Sequence, residues 1–136
     1  AKAMKLANEV GTAFIPGIAP GYNDRAVRKG HAGRARYFED KAESKEGDIF
    51  RTMIKDVAIP LADPKTNRTI MITSFNEWYE DTQIEATAGT ANASTKDDSD
   101  TGAFYTEGDR YEDYGSLYLD ILREAKKADA TPETKK

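Results

Sequence analysis

Apolar residues along the chain fall into five stretches, which predict three helices separated by two strands. Residues 1–10 repeat apolar side chains at near-helical spacing and are followed by Gly11, a residue that often ends a helix. Residues 48–59 and 114–129 each place apolar side chains on one helical face. Asp48 is expected to cap the amino terminus of the second helix, and Pro60 to stop it.

The two shorter apolar stretches predict strands. Residues 13–19 form the first, which Pro16 interrupts, and residues 69–73 form the second. In the second stretch, apolar side chains occupy both odd and even positions, a pattern typical of a parallel strand that is covered on both faces. The order helix, strand, helix, strand, helix indicates an α/β fold, in which the loops at the carboxyl ends of the strands build the active site.

The length of the chain limits what this succession can form. Two parallel strands cannot close into a barrel, and a (β/α)8 TIM barrel typically takes about 250 residues, whereas this chain has 136 and begins with Ala1. We therefore expect residues 1–129 to be the carboxyl-terminal portion of a larger barrel, incomplete alone and lacking an amino-terminal portion. Small polar residues predict a mobile insertion at 86–103, and residues 130–136 form a charged tail.

Composition and charge exclude several classes of function. The net charge of -4 provides no basic face for a phosphate backbone, so nucleic acid is not an expected partner. No apolar run approaches the length of a membrane span, and there is no cysteine for a disulfide or a thiolate metal site. His31, the only histidine, cannot form a zinc site unaided. Asp97, Asp98 and Asp100 lack the register of a calcium loop, so neither a metal nor a cofactor is predicted.

Carboxylates concentrate directly after the second predicted strand. Glu77 and Glu80 follow residues 69–73. Alternate side chains of a barrel strand face the interior, and Glu77 falls in the alternating set that would place it at the mouth of the barrel. Paired carboxylates that flank a glycosidic bond are the recurrent apparatus of sugar hydrolysis, one as acid and the other as base or nucleophile. The two glutamates are therefore candidate catalytic residues, although a solvated rim over a core tryptophan would have the same spacing.

Neighbouring side chains suit a sugar site. Trp78 and Tyr79 can stack on the apolar faces of sugar rings, and Asn76 and Gln83 can bond to hydroxyl groups. At the exit of the first strand, two further candidates for substrate binding are Tyr22 and Asp24, but turn chemistry alone also accounts for an aspartate there.

Two motifs resemble those of a known family. Residues 72–85 (Ile-Thr-Ser-Phe-Asn-Glu-Trp-Tyr-Glu-Asp-Thr-Gln-Ile-Glu) resemble the signature of glycoside hydrolase family 99, the endo-α-mannosidase family. The turn at 20–24 (Pro-Gly-Tyr-Asn-Asp) is similar to that family's strand exit, and the tyrosine-rich last helix also fits. Together these features cover most of the chain as the carboxyl-terminal part of a (β/α)8 barrel.

The resemblance implies a retaining, endo-acting glycosidase that cleaves α-mannosidic or related polysaccharide linkages without a metal or cofactor. The glutamate that matches Glu77 would deprotonate the substrate 2-hydroxyl, and the one that matches Glu80 would act as general acid and then as base. The expected partners are an oligosaccharide or polysaccharide and the missing part of the barrel. A secreted, periplasmic or secretory-pathway lumenal location suits such substrates.

This chain departs from the family pattern at two positions. Tyr79 stands where the family usually has histidine, and Asp81 stands where it usually has glycine, which adds a carboxylate beside the expected acid. These differences put the choice of substrate in doubt. The competing interpretation is a non-catalytic carbohydrate-binding barrel, or one associated with polysaccharide biosynthesis.

Overall fold

The computed structural model describes residues 2–24, 28, 30–87 and 113–130. The predicted order of three helical segments and two strands is confirmed. The regular elements are α1 (Lys2–Glu9), β1 (Gly17–Ile18), α2 (Asp48–Thr52), a π-helical segment (Met53–Ala58), α3 (Ile59–Leu61), a 3-10 helix (Pro64–Thr66), β2 (Met71–Ile72), a second 3-10 helix (Trp78–Glu80) and α4 (Leu117–Ala130).

The two strands pair in parallel, as the sequence predicts, but both are shorter than expected. Gly17 is opposite Met71 and Ile18 is opposite Ile72. The ladder ends after Thr73, whose N–H donates to the Ile18 carbonyl at 2.9 Å, because the next residue bonds elsewhere: Ser74 donates to the Thr82 carbonyl at 2.8 Å. The peptide bond between Thr73 and Ser74 is cis.

The core lies on one face of this small sheet. α2, the π-helical segment and α4 pack there, and Ile72 of β2 packs against them. Burial of these apolar side chains is the main favourable contribution that holds strands and helices together. The buried members of the core are Ile18, Phe50, Ile54, Ala58, Ile84, Tyr118 and Ile121.

Among the described residues the opposite face of the sheet is open, which differs from the expectation that the second strand is covered on both faces. Met71 and Phe75 are 58% and 57% exposed, and Ile15 beside β1 is 44% exposed. Successive side chains of a strand point to opposite faces, and only one set faces the helices. We call the surface formed by Ile15, Met71 and Phe75 the open face.

The second helix begins with a glycine cap rather than with the predicted aspartate. Gly47 is the N-cap, with a φ of 87°, and Asp48 is the first helical residue. The Asp48 carboxylate instead accepts from the N–H of Lys45 at 2.8 Å, one turn upstream. A side chain at Gly47 would also meet Ile121 at 2.9 Å, so glycine lets the helix start lie against α4. Pro60 does not stop the segment, which continues to Leu61.

Two sequence predictions fall largely outside the described residues. Most of the expected mobile insertion at 86–103 lies there, as do Asp97, Asp98 and Asp100 and nearly all of the expected charged tail at 130–136.

Candidate active site

The exits of the two strands meet at the carboxyl edge of the sheet. The N–H of Asn23, after β1, donates to the carbonyl oxygen of Glu80, after β2, at 2.8 Å. Tyr22 also pairs with Arg34 in an antiparallel bridge. These bonds bring the predicted residues after β1 beside the predicted catalytic turn.

Glu77 begins that turn. Its carboxylate accepts from the N–H of Tyr79 at 3.2 Å and so caps the 3-10 helix Trp78–Glu80. Its own N–H donates to the Ser74 hydroxyl at 2.8 Å. The residue is exposed, so the carboxylate that caps the helix is also accessible to a ligand.

Glu80 ends the same turn. Its side chain is 33% exposed, and Oε1 lies 3.5 Å from Nη1 of Arg28. The two predicted catalytic carboxylates therefore stand at opposite ends of one turn, with Trp78 and Tyr79 between them. Arg28 is a neighbour that the sequence analysis does not identify.

The aromatic side chains of the turn differ in how firmly they are held. Trp78 is half-buried, and its indole N–H donates to the carboxylate of Glu85 at 3.1 Å. Tyr79 is 52% exposed. Asn76 is also exposed, and its backbone carbonyl accepts a hydrogen bond from the N–H of Trp78 at 3.2 Å. Tyr79 and Asn76 are thus accessible, whereas Trp78 is anchored at its polar edge.

Asp24 is fully buried, and its carboxylate is hydrogen-bonded to neighbouring side chains. It accepts from the Tyr22 hydroxyl at 2.9 Å, from Nη1 of Arg28 at 2.7 Å, and contacts Nδ1 of His31 at 2.9 Å. The hydrogen bond from Arg28, with those from Tyr22 and His31, outweighs burial and lowers the pKa of Asp24 to about 2. The bond to Asp24 likewise raises the pKa of Tyr22. This geometry favours support of the site over direct contact with substrate.

Gln83 is also placed away from solvent. Its side chain is 1% exposed, and its amide donates to the Asp81 carboxylate at 3.2 Å. The described arrangement directs this amide to a neighbouring side chain. Substrate binding through Gln83 stays a prediction.

Arg36 is the main residue of the site region that sequence reasoning misses. It is 4% exposed, donates to the carbonyl oxygens of Asp81 and Gln83, and forms an ion pair with the Asp81 carboxylate at 2.9 Å. Its guanidinium carbon lies 5.3 Å and 4.9 Å from the ring centroids of Tyr114 and Tyr118. The signal for it was the pair of tyrosines at near-helical spacing before and within α4, since buried arginines often pair with aromatic faces.

Asp81, the departure from glycine, is directed into this arrangement. Its φ of 52° and ψ of 35° lie in the left-handed region, which glycine adopts most readily and aspartate tolerates. Arg36 and Gln83 both bond to its carboxylate. The sequence places this additional carboxylate beside Glu80. In the structure it is paired with Arg36.

Among the described residues, no helix is both long and apolar enough to cross a bilayer. Nor do three or more acidic or histidine side chains of residues 2–24, 28, 30–87 and 113–130 group together as metal ligands.

Comparison with known proteins gives consistent matches. Residues 1–122 match glycosyl hydrolase family 99. Two relatives, the glycoprotein endo-alpha-1,2-mannosidases of Xenopus laevis and Rattus norvegicus, are 34% and 31% identical to this chain over 114 residues. These matches cover 81% of this chain but only 20% and 19% of the relatives, so the chain spans about a fifth of their length.

A solved structure is also similar. The GH99 endo-alpha-mannosidase from Bacteroides thetaiotaomicron, in complex with Bis-Tris propane, superposes with a TM-score of 0.52 at 26% sequence identity. The superposition covers 96% of this chain and 35% of that chain.

Proposed function

Because this chain belongs to glycosyl hydrolase family 99, we propose that it contributes the catalytic turn of a retaining, endo-acting glycoside hydrolase that cleaves α-mannosidic or related polysaccharide linkages. One observation carries the proposal. Within this family match, Glu77 and Glu80 stand at the two ends of a single turn, at the carboxyl edge of a parallel pair of strands. That edge is where α/β barrels build their active sites.

The same proposal includes the architecture. In it, β1 and β2 are two neighbouring strands of a (β/α)8 barrel, with α2 and α4 in its outer layer. The parallel pairing and the core on one side of the sheet support this assignment. The open face would then line the barrel interior, where side chains from the remaining strands would cover Ile15, Met71 and Phe75.

In the first step, the Glu77 carboxylate takes the proton of the substrate 2-hydroxyl. The oxygen of that hydroxyl attacks the anomeric carbon, while the bond from this carbon to the leaving sugar's oxygen breaks. Glu80, protonated at the start, donates its proton to the departing oxygen. The products are a free sugar end and a 1,2-anhydro sugar.

In the second step, the roles of the two carboxylates reverse. Glu80, now ionised, removes a proton from water as the water oxygen attacks the anomeric carbon. The anhydro bond breaks, and its oxygen recovers the proton held by Glu77. Two displacements at the same carbon give net hydrolysis with retention of configuration.

The remaining predicted residues take two roles in this proposal. Tyr79, Trp78, Asn76 and Tyr22 would contact the sugar, because they lie on the catalytic turn or at the adjoining strand exit. Trp78 and Tyr79 would offer aromatic faces to sugar rings. Asp24 and Gln83, which are buried, would contribute by holding neighbouring groups in place.

The substrate is a mannose-containing oligosaccharide or polysaccharide in this proposal. The relatives are named for glycoprotein endo-alpha-1,2-mannosidase activity. Such glycans occur outside the cell or within secretory compartments, so a secreted, periplasmic or lumenal location is part of the proposal.

The test is substitution of each glutamate in the full-length protein. Glu77→Gln and Glu80→Gln should each lower kcat on an α-mannan oligosaccharide by about 10²- to 10⁴-fold, since each removes one proton-transfer group. Glu43→Gln, which changes an exposed glutamate outside the turn, is the matched control and should retain full activity.

The competing function is carbohydrate binding without turnover. It would be indicated by an inactive unsubstituted protein whose affinity for the oligosaccharide is the same in both glutamine variants. Activity that survives both substitutions would eliminate the proposed roles of Glu77 and Glu80.

A further inference from the structure

We propose that Arg36 is a positioning residue of the active site: it does not contact substrate, but it fixes the turn that carries Glu77 and Glu80. This inference rests on the function proposed above. It concerns the segment directly after Glu80, where the chain turns back towards the core.

The first support is the set of bonds that Arg36 makes to this segment. Nη1 donates to the Gln83 carbonyl at 2.9 Å, and Nη2 donates to the Asp81 carbonyl at 2.7 Å and to its carboxylate at 2.9 Å. Both terminal nitrogens of one planar group are therefore bonded to residues 81–83. A planar fork fixes the direction as well as the distance of its acceptors.

The second support is that the guanidinium cannot readily move. The guanidinium carbon of Arg36 lies 5.3 Å from the ring centroid of Tyr114, just before α4, and 4.9 Å from that of Tyr118, at the start of α4. Burial disfavours the charge, but Asp81, Tyr118 and Glu46 together more than offset this, so the pKa of Arg36 is raised. Arg36 thus stays charged and connects the start of α4 to the turn in a fixed geometry.

The third support comes from the other strand exit. A β-carbon at Gly21 would lie 2.8 Å from Cγ of Arg36, so the backbone after β1 passes directly over the arginine stem. Two residues before Arg36, Arg34 exchanges backbone hydrogen bonds with Tyr22 at 3.3 Å and 2.6 Å. Arg36 therefore lies between the two strand exits that form the candidate site.

Two backbone hydrogen bonds close the turn, and loss of Arg36 would let water compete for them. Thr82 donates to the Glu77 carbonyl at 3.2 Å, and Asp81 donates to the Trp78 carbonyl at 3.2 Å. Both distances lie at the upper end of the usual range, and both bonds close the turn between the two glutamates. The clamp at 81–83 holds the residues that make them.

The lead variant is Arg36→Lys in the full-length protein, because lysine keeps the charge but cannot reproduce the planar fork. The matched control is Arg51→Lys, which alters a surface arginine that pairs with Glu124. Should Arg36→Lys fail to fold, Asp81→Asn replaces it: this variant removes the ion pair and leaves both carbonyl bonds of Arg36 available.

The first measurement is amide hydrogen exchange of peptides that contain residues 77–83, which needs no activity. We expect exchange about 10-fold faster in Arg36→Lys than in the unsubstituted protein, with peptides of α2 unchanged. In Asp81→Asn the same peptides should exchange faster, by a smaller factor. Unchanged exchange at 77–83 in a folded variant would overturn the inference, whatever the activity.

The second measurement compares kcat/KM for a substrate whose leaving group is a sugar with that for a mannosyl fluoride. Fluoride departs without protonation, so it depends less on the placement of Glu80 as acid. We expect Arg36→Lys to lose about 10- to 100-fold with the sugar leaving group and clearly less with fluoride. An equal loss with both substrates would contradict placement of Glu80 through Arg36.

The two proposals can fail separately. If the unsubstituted protein cleaves neither substrate but exchange at 77–83 accelerates in Arg36→Lys, the positioning of the turn is supported and the hydrolase function is not. If the protein is active and Arg36→Lys keeps both its activity and its exchange rates, the hydrolase function stands and the role of Arg36 is wrong.

Discussion

Oδ2 of Asp24 lies 2.7 Å from Nη1 of Arg28, which pairs a fully buried carboxylate with a half-exposed guanidinium. The same nitrogen reaches the Glu80 carboxylate at 3.5 Å. A buried charge is tolerated only when neighbours compensate it, so Asp24 and Arg28 form one electrostatic unit at the edge of the candidate site.

This pair predicts a loss of stability in acid. The pKa of Asp24 is about 2 in the folded protein, below the value of about 3.9 for an unpaired aspartate, so the unfolded chain binds the proton more readily. The stabilisation is complete above about pH 5 and is lost as the pH falls from about 4 towards 2. The urea midpoint of the full-length protein should therefore fall on acidification, and it should fall less in Asp24→Asn.

Asp56→Asn serves as the control for that series, because Asp56 is an exposed residue of the π-helical segment. It should show the same acid-induced fall in urea midpoint as the unsubstituted protein. An identical pH profile for Asp24→Asn and Asp56→Asn would show that the pair with Arg28 does not contribute.

The open face predicts a second effect. If the proposed barrel covers it, Met71→Gln places a polar amide in an apolar interior and should lower the free energy of unfolding by about 1–3 kcal/mol. Lys55→Gln, at an exposed helical position, should change it by less than about 0.5 kcal/mol. Urea unfolding of the full-length protein measures both, and equal values would mean that Met71 stays in solvent.

Tyr79 predicts an effect on binding without one on stability. Its ring is exposed, so removal costs little packing, whereas a stacked sugar would lose its aromatic partner. Calorimetric titration with an α-mannan oligosaccharide, in a Glu77→Gln background that prevents turnover, should give a dissociation constant about 3- to 10-fold higher for Tyr79→Ala.

Tyr37→Ala is the matched control for Tyr79, since Tyr37 is similarly exposed but lies outside the proposed catalytic turn. In the same background it should bind like the protein that carries Glu77→Gln alone. Equal affinity in both tyrosine variants would remove Tyr79 from the proposed substrate contacts.

Local patterns were sufficient to predict the order of the helices and strands. The apolar periodicity of residues 48–59 and the β-branched run before Glu77 are properties of short stretches, and they predicted the helix and the parallel strand correctly. The match to glycosyl hydrolase family 99 is also confirmed, because it depends on a contiguous motif.

Burial of polar side chains could not be predicted in the same way. Arg36 is buried because Tyr114 and Tyr118, about eighty residues later, cover its guanidinium. Asp24 and Gln83 have polar side chains of the kind that often bind ligands, yet their hydrogen-bond partners lie within the protein. Such outcomes depend on contacts between distant segments, which the spacing of residues along the chain does not record.

The close approach of Gly21 to Arg36 limits how this region can be redesigned. Any side chain at position 21 would displace the arginine, since its β-carbon would also lie 3.2 Å and 3.3 Å from the carbonyl oxygens of Arg34 and Ala35. Sequence between Asp24 and Gly33 could be exchanged for that of a relative only if Arg28 and His31, which bond to the buried Asp24 carboxylate, are kept. Gly21 and the segment Arg34 to Arg36 would have to be kept, or transferred together as one unit.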